Sequence, residues 1–328
     1  MNRPIASILG TGRHLPSTVV TNADLEKRID TSDEWIRSRT GIAERRIAGA
    51  EELTSDLAVA ASRKALDRAG LRPEDLDAVI VSTLTPDYPF PATACVVQNK
   101  LGATRAFAFD QQAACSGFIY GLAIAEGLIA SGSARYVLVA GAEKLSTITD
   151  WQDRNTCVLF GDGAGAVVLG PATGDRRLMS LHMGADGSMV PKLLQPAGGS
   201  ARPASAETVA QRLHYLKMDG KEVFKFAVRI MGEASAEATR RAGWEAKDIA
   251  LFIPHQANLR IIEAAAKFMG LPMDRVFVNV DKYGNTSAAS VAIALDEAQE
   301  QGRLKRGDKA IMVAFGAGLT WASCALQW

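Results

Sequence analysis

The chain has 328 residues, of which 48% are hydrophobic and 22% are charged, and its formal net charge is +1. These proportions are ordinary for a folded globular protein and argue against a disordered chain. The balanced charge argues against a nucleic-acid-binding domain, which usually carries a strong basic excess. A chain of this length is expected to form two domains or one duplicated unit.

The cysteine content and the N-terminal residues indicate the cellular compartment in which the protein is expected. The four cysteines form no C-x-x-C pair and have no histidine at zinc-like spacing, so we expect neither a metal site nor a disulfide framework. So few cysteines in a long chain favour a reducing compartment. Residues 1–16 lack the pattern of a signal peptide, and no apolar run approaches the roughly 20 residues that span a bilayer. We therefore expect a cytoplasmic protein that is not bound to a membrane.

The first part of the chain alternates predicted strands and helices. A helix that ends at Gly70 is followed by a short acidic turn and a buried strand at residues 78–81. Residues 117–129 carry an apolar stripe and predict a helix, and residues 136–141 predict another buried strand. This alternation predicts a parallel sheet covered by helices.

Cys115 lies at the turn that leads into the helix predicted at residues 117–129. The helix dipole and the free N–H groups at a helix N-terminus favour a thiolate there. Small neighbours on both sides let a bulky substrate reach the sulfur. A free cysteine is more often a buried core residue, so local context leaves both interpretations open. For Cys95, Cys157 and Cys324, which lie in apolar stretches, we favour the core.

A glycine-rich turn and a linker follow. Residues 160–166 precede a strand at residues 167–169. No Lys-Ser or Lys-Thr follows the glycines, and they do not open a helix after a strand, so neither a P-loop nor a dinucleotide-binding turn is indicated. We predict tight turns and close approach of the backbone. Gly, Pro, Thr and Asp cluster at residues 171–177 and predict a linker, which divides the chain into halves 1–173 and 174–328.

The second half repeats the pattern of the first. Residues 242–254 resemble residues 69–81, with a glycine after a helix, an acidic turn and a buried strand. A helical stretch at residues 291–295 and a strand at residues 310–316 then match the second helix and strand of the first half. We infer two similar α/β halves whose loops meet in one site.

Two polar residues of the second half are candidates for that site. His255 directly follows a predicted strand, where it fits a site, a helix cap or a satisfied buried histidine equally well. Asn285 follows a glycine and is ordinarily a turn residue. The repeat, however, places Asn285 and Cys115 before matching helices, so both are expected in one pocket. The turn at residues 315–318 follows a strand, and its backbone N–H groups could face an oxyanion.

Eight short segments, occurring in order, carry a resemblance to a known family. They lie at residues 31–36, 39–42, 113–118, 153–156, 218–225, 255–258, 283–287 and 315–318. Together they resemble β-ketoacyl-acyl-carrier-protein synthase III, the initiating condensing enzyme of bacterial fatty-acid synthesis, in the thiolase superfamily. The resemblance covers nearly the whole chain. Ser116 stands where Ala is more usual, and Ala317 replaces a Gly.

The resemblance implies an α/β fold of two similar halves, packed as a five-layered αβαβα sandwich, and a set of site residues. It implies a catalytic triad of Cys115, His255 and Asn285, with the backbone N–H groups of Cys115, Gly316 and Ala317 around the oxyanion. It implies coenzyme A contacts at Thr31, Trp35, Arg39, Arg154, Gly220 and Asn258, with Trp35 stacked on the adenine beside Arg154. Phe90 would close the acyl pocket of a partner subunit in a homodimer. Arg260 would contact the acidic carrier protein, with Lys267 on the same helix face as a second contact or as an ordinary solvated lysine.

The implied reaction joins a short acyl group from acyl-coenzyme A to malonyl-acyl carrier protein with loss of carbon dioxide. The thioester is a substrate, and no cofactor is expected. Related condensing enzymes of specialised metabolism share the triad and differ in the acyl starter, so they stay an alternative. Chain-elongating synthases use two histidines and thiolases a second cysteine, and Asn285 argues against both. A non-catalytic partner would have lost the nucleophile, and the presence of Cys115 argues against that class.

Overall fold

The computed structural model describes residues 6–172 and 174–328. The strands are β1 (Ala6–His14), β2 (Thr18–Thr21), β3 (Glu44–Ile47), β4 (Ala78–Ser82), β5 (Phe107–Gln111), β6 (Val137–Glu143), β7 (Gly163–Pro171), β8 (Arg177–Ala185), β9 (Leu193–Leu194), β10 (Lys217–Met218), β11 (Leu251–Pro254), β12 (Lys309–Gly316) and β13 (Thr320–Gln327). The helices are α1 (Asn22–Glu26), α2 (Asp33–Thr40), α3 (Thr54–Ala69), α4 (Thr93–Leu101), α5 (Gly117–Ser131), α6 (Ala206–Ala210), α7 (Gly220–Arg241), α8 (Leu259–Phe268), α9 (Val280–Tyr283) and α10 (Ala289–Glu300).

Two larger sheets follow the same plan. The first has the order β1-β7-β6-β4-β5, and the second has the order β11-β12-β13-β8. In the first sheet β4 pairs parallel with both β5 and β6, and in the second β11 pairs parallel with β12. The remaining pairs of both sheets are antiparallel. A parallel bridge joins Phe252 of β11 to Val276. Its position beside β11 is equivalent to that of β5 beside β4 in the first sheet. The strands predicted from the internal repeat are therefore present in both sheets, and in equivalent positions.

Helices cover both faces of each sheet. On the first sheet, α3 and α4 pack outside, while α5 and α10 pack inside against both sheets. On the second sheet, α7 packs outside with α8 beside it. Alternate residues of one strand therefore enter different cores: Val79 of β4 faces α3, whereas Ile80 faces α5. This order of layers, α-β-α-β-α, confirms the predicted five-layered sandwich.

Helix α5 lies in the middle layer, which explains why it is apolar all round. A window of 18 residues, Ala114–Ser131, is long and apolar enough by composition to cross a membrane, contrary to the expectation that no run approaches that length. More than half of that window (56%) is buried inside the fold. A helix between two sheets has no face that meets water fully, so its composition resembles that of a membrane span.

The boundary predicted between the halves falls between two long strands. Strand β7 ends at Pro171 and β8 begins at Arg177, in the stretch predicted as a linker. Thr173, the last residue of the predicted first half, lies outside the described residues, as do residues 1–5.

One prediction about the cysteines is wrong. Cys157 and Cys324 are buried as expected, but Cys95 is exposed. Helix α4 turns Ala94, Val97 and Leu101 toward the core. Cys95 lies about 100° around the helix from Ala94 and therefore points outward, although its Sγ still lies 3.8 Å from the Ala108 carbonyl.

Candidate active site

A pocket of about 760 Å³, including its mouth, lies where loops of both halves meet. Cys115 reaches it from the turn before α5, His255 from the end of β11, and Asn285 from the segment between α9 and α10. The wall is mostly apolar. It includes Leu84, Leu145, Leu159, Leu193, Leu216, Met218, Val223 and Phe315. The structure thus brings together the three side chains that the sequence predicted in one pocket.

Cys115 sits on a constrained turn. Ala114 before it adopts a left-handed φ of 45°. A Cβ added to Gly316 would lie 2.5 Å from the Cys115 backbone nitrogen, so only glycine allows this approach. Gly316 and Ala317 both line the pocket, and the predicted oxyanion segment therefore borders the thiol.

The thiol of Cys115 does not have the lowered pKa that its place before a helix predicted. Burial raises the pKa of Cys115 to about 12, and the negative charge of Glu143 adds to the rise. The hydroxyl of Ser287 lies near enough to lower this pKa in part, although Ser287 Oγ makes no hydrogen bond of standard geometry in the described chain. Desolvation of the sulfur therefore outweighs the favourable helix terminus.

His255 is 1% exposed, and its two ring nitrogens have different environments. Nδ1 lies 2.5 Å from Ser290 Oγ, while Nε2 has no hydrogen-bond partner among the described residues. Burial lowers the pKa of His255 to about 3, so the imidazole is neutral at physiological pH. Phe315 holds the ring edge-on with its centroid at 5.9 Å. Nε2 is therefore the atom that is free to meet a ligand.

Asn285 is fixed by its backbone. Its N–H donates to the Leu159 carbonyl at 2.8 Å, and its carbonyl accepts from Gly161 N–H at 3.1 Å. The side-chain Oδ1 accepts from Ser287 N–H at 2.8 Å, which leaves the Nδ2 amide to face a ligand. A Cβ on Gly161 would lie 2.3 Å from the Tyr283 carbonyl, which confirms the close approach predicted for the glycine-rich turn.

Of the six residues expected to contact coenzyme A, Gly220 and Asn258 line the pocket, and the other four do not. The Arg154 guanidinium lies 4.6 Å from the centre of the Trp35 ring. Asn258 caps α8 and donates to the Arg39 carbonyl at 3.0 Å, and it lines the pocket together with Gly220. In Thr31, the hydroxyl oxygen is buried and has no partner within the described part of the chain.

The residues predicted for the acyl pocket of a partner and for the carrier protein also lie outside the pocket. Phe90 is 85% exposed and does not line the pocket of its own chain. Arg260 is exposed on α8 with its guanidinium 5.2 Å from the ring of Phe224, which lines the pocket. Lys267 is exposed two turns further along α8.

Sequence reasoning missed three side chains close to the triad. Glu143 is fully buried, and its Oε2 accepts a hydrogen bond from Thr85 Oγ1 at 2.7 Å. Ser287 lies beside Glu143 and Cys115, and Ser290 contacts His255. An acidic residue at the end of an otherwise apolar strand was a signal for Glu143. Nothing separates the two serines from ordinary helix-start residues in the sequence.

The chain is similar to curated and solved proteins over nearly its whole length. Family models described as 3-oxoacyl-[acyl-carrier-protein (ACP)] synthase III and its C-terminal part match residues 109–187 and 239–328. A β-ketoacyl-[acyl-carrier-protein] synthase III of Caldanaerobacter subterraneus subsp. tengcongensis is 59% identical over 98% of both chains. One from Natranaerobius thermophilus is 54% identical over 98% of this chain and 99% of its own. The crystal structure of 3-oxoacyl-[acyl-carrier-protein] synthase III from Aquifex aeolicus VF5 matches with a TM-score of 0.91 and 50% identity, over 98% of this chain and all of that one. The chain belongs to the β-ketoacyl-[acyl-carrier-protein] synthase III family and has its thiolase-like α/β fold.

Proposed function

We propose that the chain initiates fatty-acid synthesis by condensing a short acyl-coenzyme A, acetyl or similar, with malonyl-acyl carrier protein. The observation that carries this proposal is the convergence of a thiol, a neutral imidazole and an amide on one apolar pocket, in a chain of this family. The product is a β-ketoacyl-acyl carrier protein, and the enzyme is an acyltransferase with a covalent intermediate.

In the first half-reaction, the Cys115 thiolate attacks the thioester carbonyl and coenzyme A leaves. The tetrahedral oxyanion is held by backbone N–H groups of Cys115 and of the turn at Gly316 and Ala317. Such a donor is typically worth about 3–4 kcal/mol. The close approach of Gly316 to the Cys115 backbone supports this role.

In the second half-reaction, malonyl-acyl carrier protein loses carbon dioxide and leaves an enolate at its thioester. His255 Nε2–H and Asn285 Nδ2–H donate to the enolate oxygen. This tautomer requires that Ser290 donate its hydroxyl proton to His255 Nδ1, and the 2.5 Å contact supports that arrangement. The carbanion then attacks the acyl carbonyl, and Cys115 leaves as a thiolate.

The substrates enter across the mouth of the pocket. Trp35 and Arg154 hold the adenine of coenzyme A, and their mutual contact at 4.6 Å supports a preformed stacking platform. The other contacts along coenzyme A come from Thr31, Arg39, Gly220 and Asn258. Arg260 and Lys267, both exposed on α8, receive the acidic carrier protein.

The proposal includes a homodimer in the cytoplasm. Strand β5 is the outer strand of the first sheet, and Phe107 on it is 45% exposed. An open edge with exposed apolar residues favours pairing with a second chain. Phe90, which is 85% exposed, then enters the acyl pocket of the partner subunit.

A single-turnover experiment tests the function. The protein is incubated with acyl-coenzyme A donors from acetyl to dodecanoyl, and the mass of the peptide that contains Cys115 is measured. Malonyl-acyl carrier protein is then added, and carbon dioxide and β-ketoacyl product are quantified. We expect labelling by short acyl groups, followed by product release.

The Cys115→Ala variant is the control and is expected to take up no acyl group. Labelling by long chains alone would assign the protein to a specialised condensing pathway and contradict the initiating role. Absence of any acyl group on Cys115 would overturn its assignment as the nucleophile.

A further inference from the structure

The largest fully buried side chain in the described part of the protein is charged, and it belongs to Arg45 of β3. Arg45 is 0% exposed, although arginine is almost never fully buried unless it is paired. In residues 6–172 and 174–328 no carboxylate accepts a hydrogen bond from its guanidinium, and its Nε is buried without a partner. Burying such a charge is costly, so an apolar residue would serve better if packing were the whole role of this side chain.

One nitrogen of the guanidinium is held in place by neighbouring segments. Nη1 of Arg45 donates to the Val20 carbonyl at 3.2 Å and to Asn22 Oδ1 at 2.9 Å. Asn22 is fixed in turn, because its Nδ2 donates to the Ile42 carbonyl and to the Asp33 carboxylate, both at 2.8 Å. The planar guanidinium is therefore locked in one orientation.

The other nitrogen reaches the loop that holds Asn285. Nη2 of Arg45 donates to the Val158 carbonyl at 2.8 Å, and no other donor to that carbonyl is found among the described residues. The Leu159 carbonyl accepts from Asn285 N–H at 2.8 Å, and Gly161 N–H donates to the Asn285 carbonyl at 3.1 Å. Arg45 therefore fixes the residue next to the two that pair with Asn285.

The aliphatic stem of Arg45 packs against the same backbone from below. A Cβ added to Gly161 would lie 3.1 Å from Arg45 Cβ, and one added to Gly284 would lie 3.4 Å from it. Gly284 directly precedes Asn285, and Gly161 pairs with Asn285. Both strands of this short pairing therefore lie against one side chain.

We propose that Arg45 is a positioning residue that holds the Asn285 amide in place for condensation, an inference that rests on the proposed role of Asn285. Arg45 does not line the pocket, so it acts through the Val158 carbonyl and the backbone pairing of residues 159–161. A misplacement of about 1 Å can cost about 100-fold in rate. Cys115 reaches the pocket from a different element, so the first half-reaction does not depend on Arg45.

The experiment replaces Arg45 with methionine, which has a similar length and no charge. We expect condensation of the acetyl-enzyme with malonyl-acyl carrier protein to slow by about 10- to 100-fold. Transfer of acetyl from coenzyme A to Cys115 should stay at the wild-type rate. Each half-reaction is followed separately in single turnover, from the mass of the peptide that contains Cys115.

A double variant shows whether Arg45 acts through Asn285. In Asn285→Ala the amide is already gone, so adding Arg45→Met is expected to slow condensation no further. A residue with a general structural role would slow the reaction again in that background. Additive effects of the two substitutions would therefore overturn the proposal.

Hydrogen exchange provides a measurement that does not need activity. Peptides that cover residues 158–161 and 283–287 are expected to exchange at least about tenfold faster in Arg45→Met, because the pairing with Asn285 loosens. Unchanged exchange would contradict the proposal even if the protein proved to catalyse another reaction. A wild type that takes up no acetyl group would contradict the proposed function and leave the exchange result intact.

Two further variants control for charge and folding. Arg46→Met lies on the same strand, loses only a 3.5 Å contact with Glu44, and should behave as the wild type in every measurement. Arg45→Lys keeps the charge but lacks the planar fork that reaches three acceptors, and is expected to slow condensation selectively as well. It replaces Arg45→Met if thermal unfolding shows that the latter does not fold.

Equal slowing of both half-reactions, or unchanged condensation in Arg45→Met and Arg45→Lys, would overturn the proposal. Slower acetylation alone would place the effect of Arg45 at α2, which begins at Asp33, and would overturn it too.

Discussion

Ser290 contacts Nδ1 of the His255 imidazole, and Nε2 has no hydrogen-bond partner within the described part of the chain. In the Ser290→Ala variant both tautomers of the ring become accessible, and only one presents Nε2–H to the enolate. We expect condensation to slow by about tenfold, in line with a hydrogen bond worth roughly 0.5–1.5 kcal/mol. Acetylation of Cys115 should be unchanged, so rapid-quench measurement of both half-reactions checks the assignment. Equal slowing of the two steps would contradict it.

The lowered pKa of His255 makes the stability of the protein sensitive to acid. The unfolded histidine titrates near 6.5 and the folded one near 3. Between these values the unfolded chain binds an extra proton, so this contribution is present above 6.5 and is lost as pH falls. From pH 6.5 to pH 5 the loss is about 2 kcal/mol. Urea unfolding should show a smaller loss over that range in His255→Gln, and identical losses would contradict the pKa.

The raised pKa of Glu143 makes its contribution to stability depend on pH in the opposite direction. Its pKa rises from 4.5 to about 7 on folding, so the folded chain binds the extra proton between these values. The contribution of Glu143 to stability is therefore fully present below pH 4.5 and is lost as pH rises toward 7. Relative to the wild type, Glu143→Gln should gain about 3 kcal/mol of unfolding free energy across this window. The gain is measured by urea unfolding at its two ends, and a constant difference would show that the carboxyl group is not neutral when buried.

Some of the side chains in the site could be predicted from the sequence, and others could not. Cys115 and Asn285 could be paired because each precedes a helix of the internal repeat. Glu143 and Ser287 meet only because β6 and the start of α10 come together across the molecule. The direction of the Cys115 pKa was wrong because a helix terminus is visible in a sequence, whereas the desolvation of a sulfur is not.

At the scale of elements, the contact between β6 and α10 determines the site. A Cβ on Gly141 of β6 would lie 2.3 Å from the Ala288 carbonyl, so only glycine lets the start of α10 approach. We expect Gly141→Ala to displace Asn285 and Ser287, to cost about 1–3 kcal/mol of stability as overpacking does, and to reduce acylation.

The matched control is Gly127→Ala on α5, where an added Cβ meets nothing within 4 Å. Removing glycine from a helix interior is expected to stabilise the protein by roughly 0.5–1 kcal/mol and to leave acylation unchanged. Thermal unfolding and the acetylation rate measure both variants. Similar behaviour of the two would show that the close approach at Gly141 is unimportant.

Element type was easier to predict from the sequence than element burial. Strands β4, β6, β11 and β12 are continuous apolar runs because helices cover both of their faces, and such runs are visible in the sequence. The orientation of Cys95 was not visible, because α4 is short and both of its faces carry apolar residues.

At the scale of the whole molecule, the open edge of the first sheet predicts self-association. Phe107→Arg places a charge on the outer strand β5 and is expected to shift the protein from dimer to monomer in analytical ultracentrifugation. Val209→Arg on α6, where Val209 is 64% exposed, is the control and should leave the dimer intact. A monomeric wild type, or an unaffected Phe107→Arg dimer, would contradict the proposed interface.

The middle layer also bears on how the protein is made. The inner face of the first sheet packs against α10, which begins at residue 289, more than a hundred residues after β7 ends at Pro171. A ribosome adds about 5–20 residues each second. The inner face of the first sheet is therefore not covered by α10 until on the order of ten seconds after β7 has been made. During synthesis the N-terminal half is therefore a natural client for chaperones that shield nascent chains.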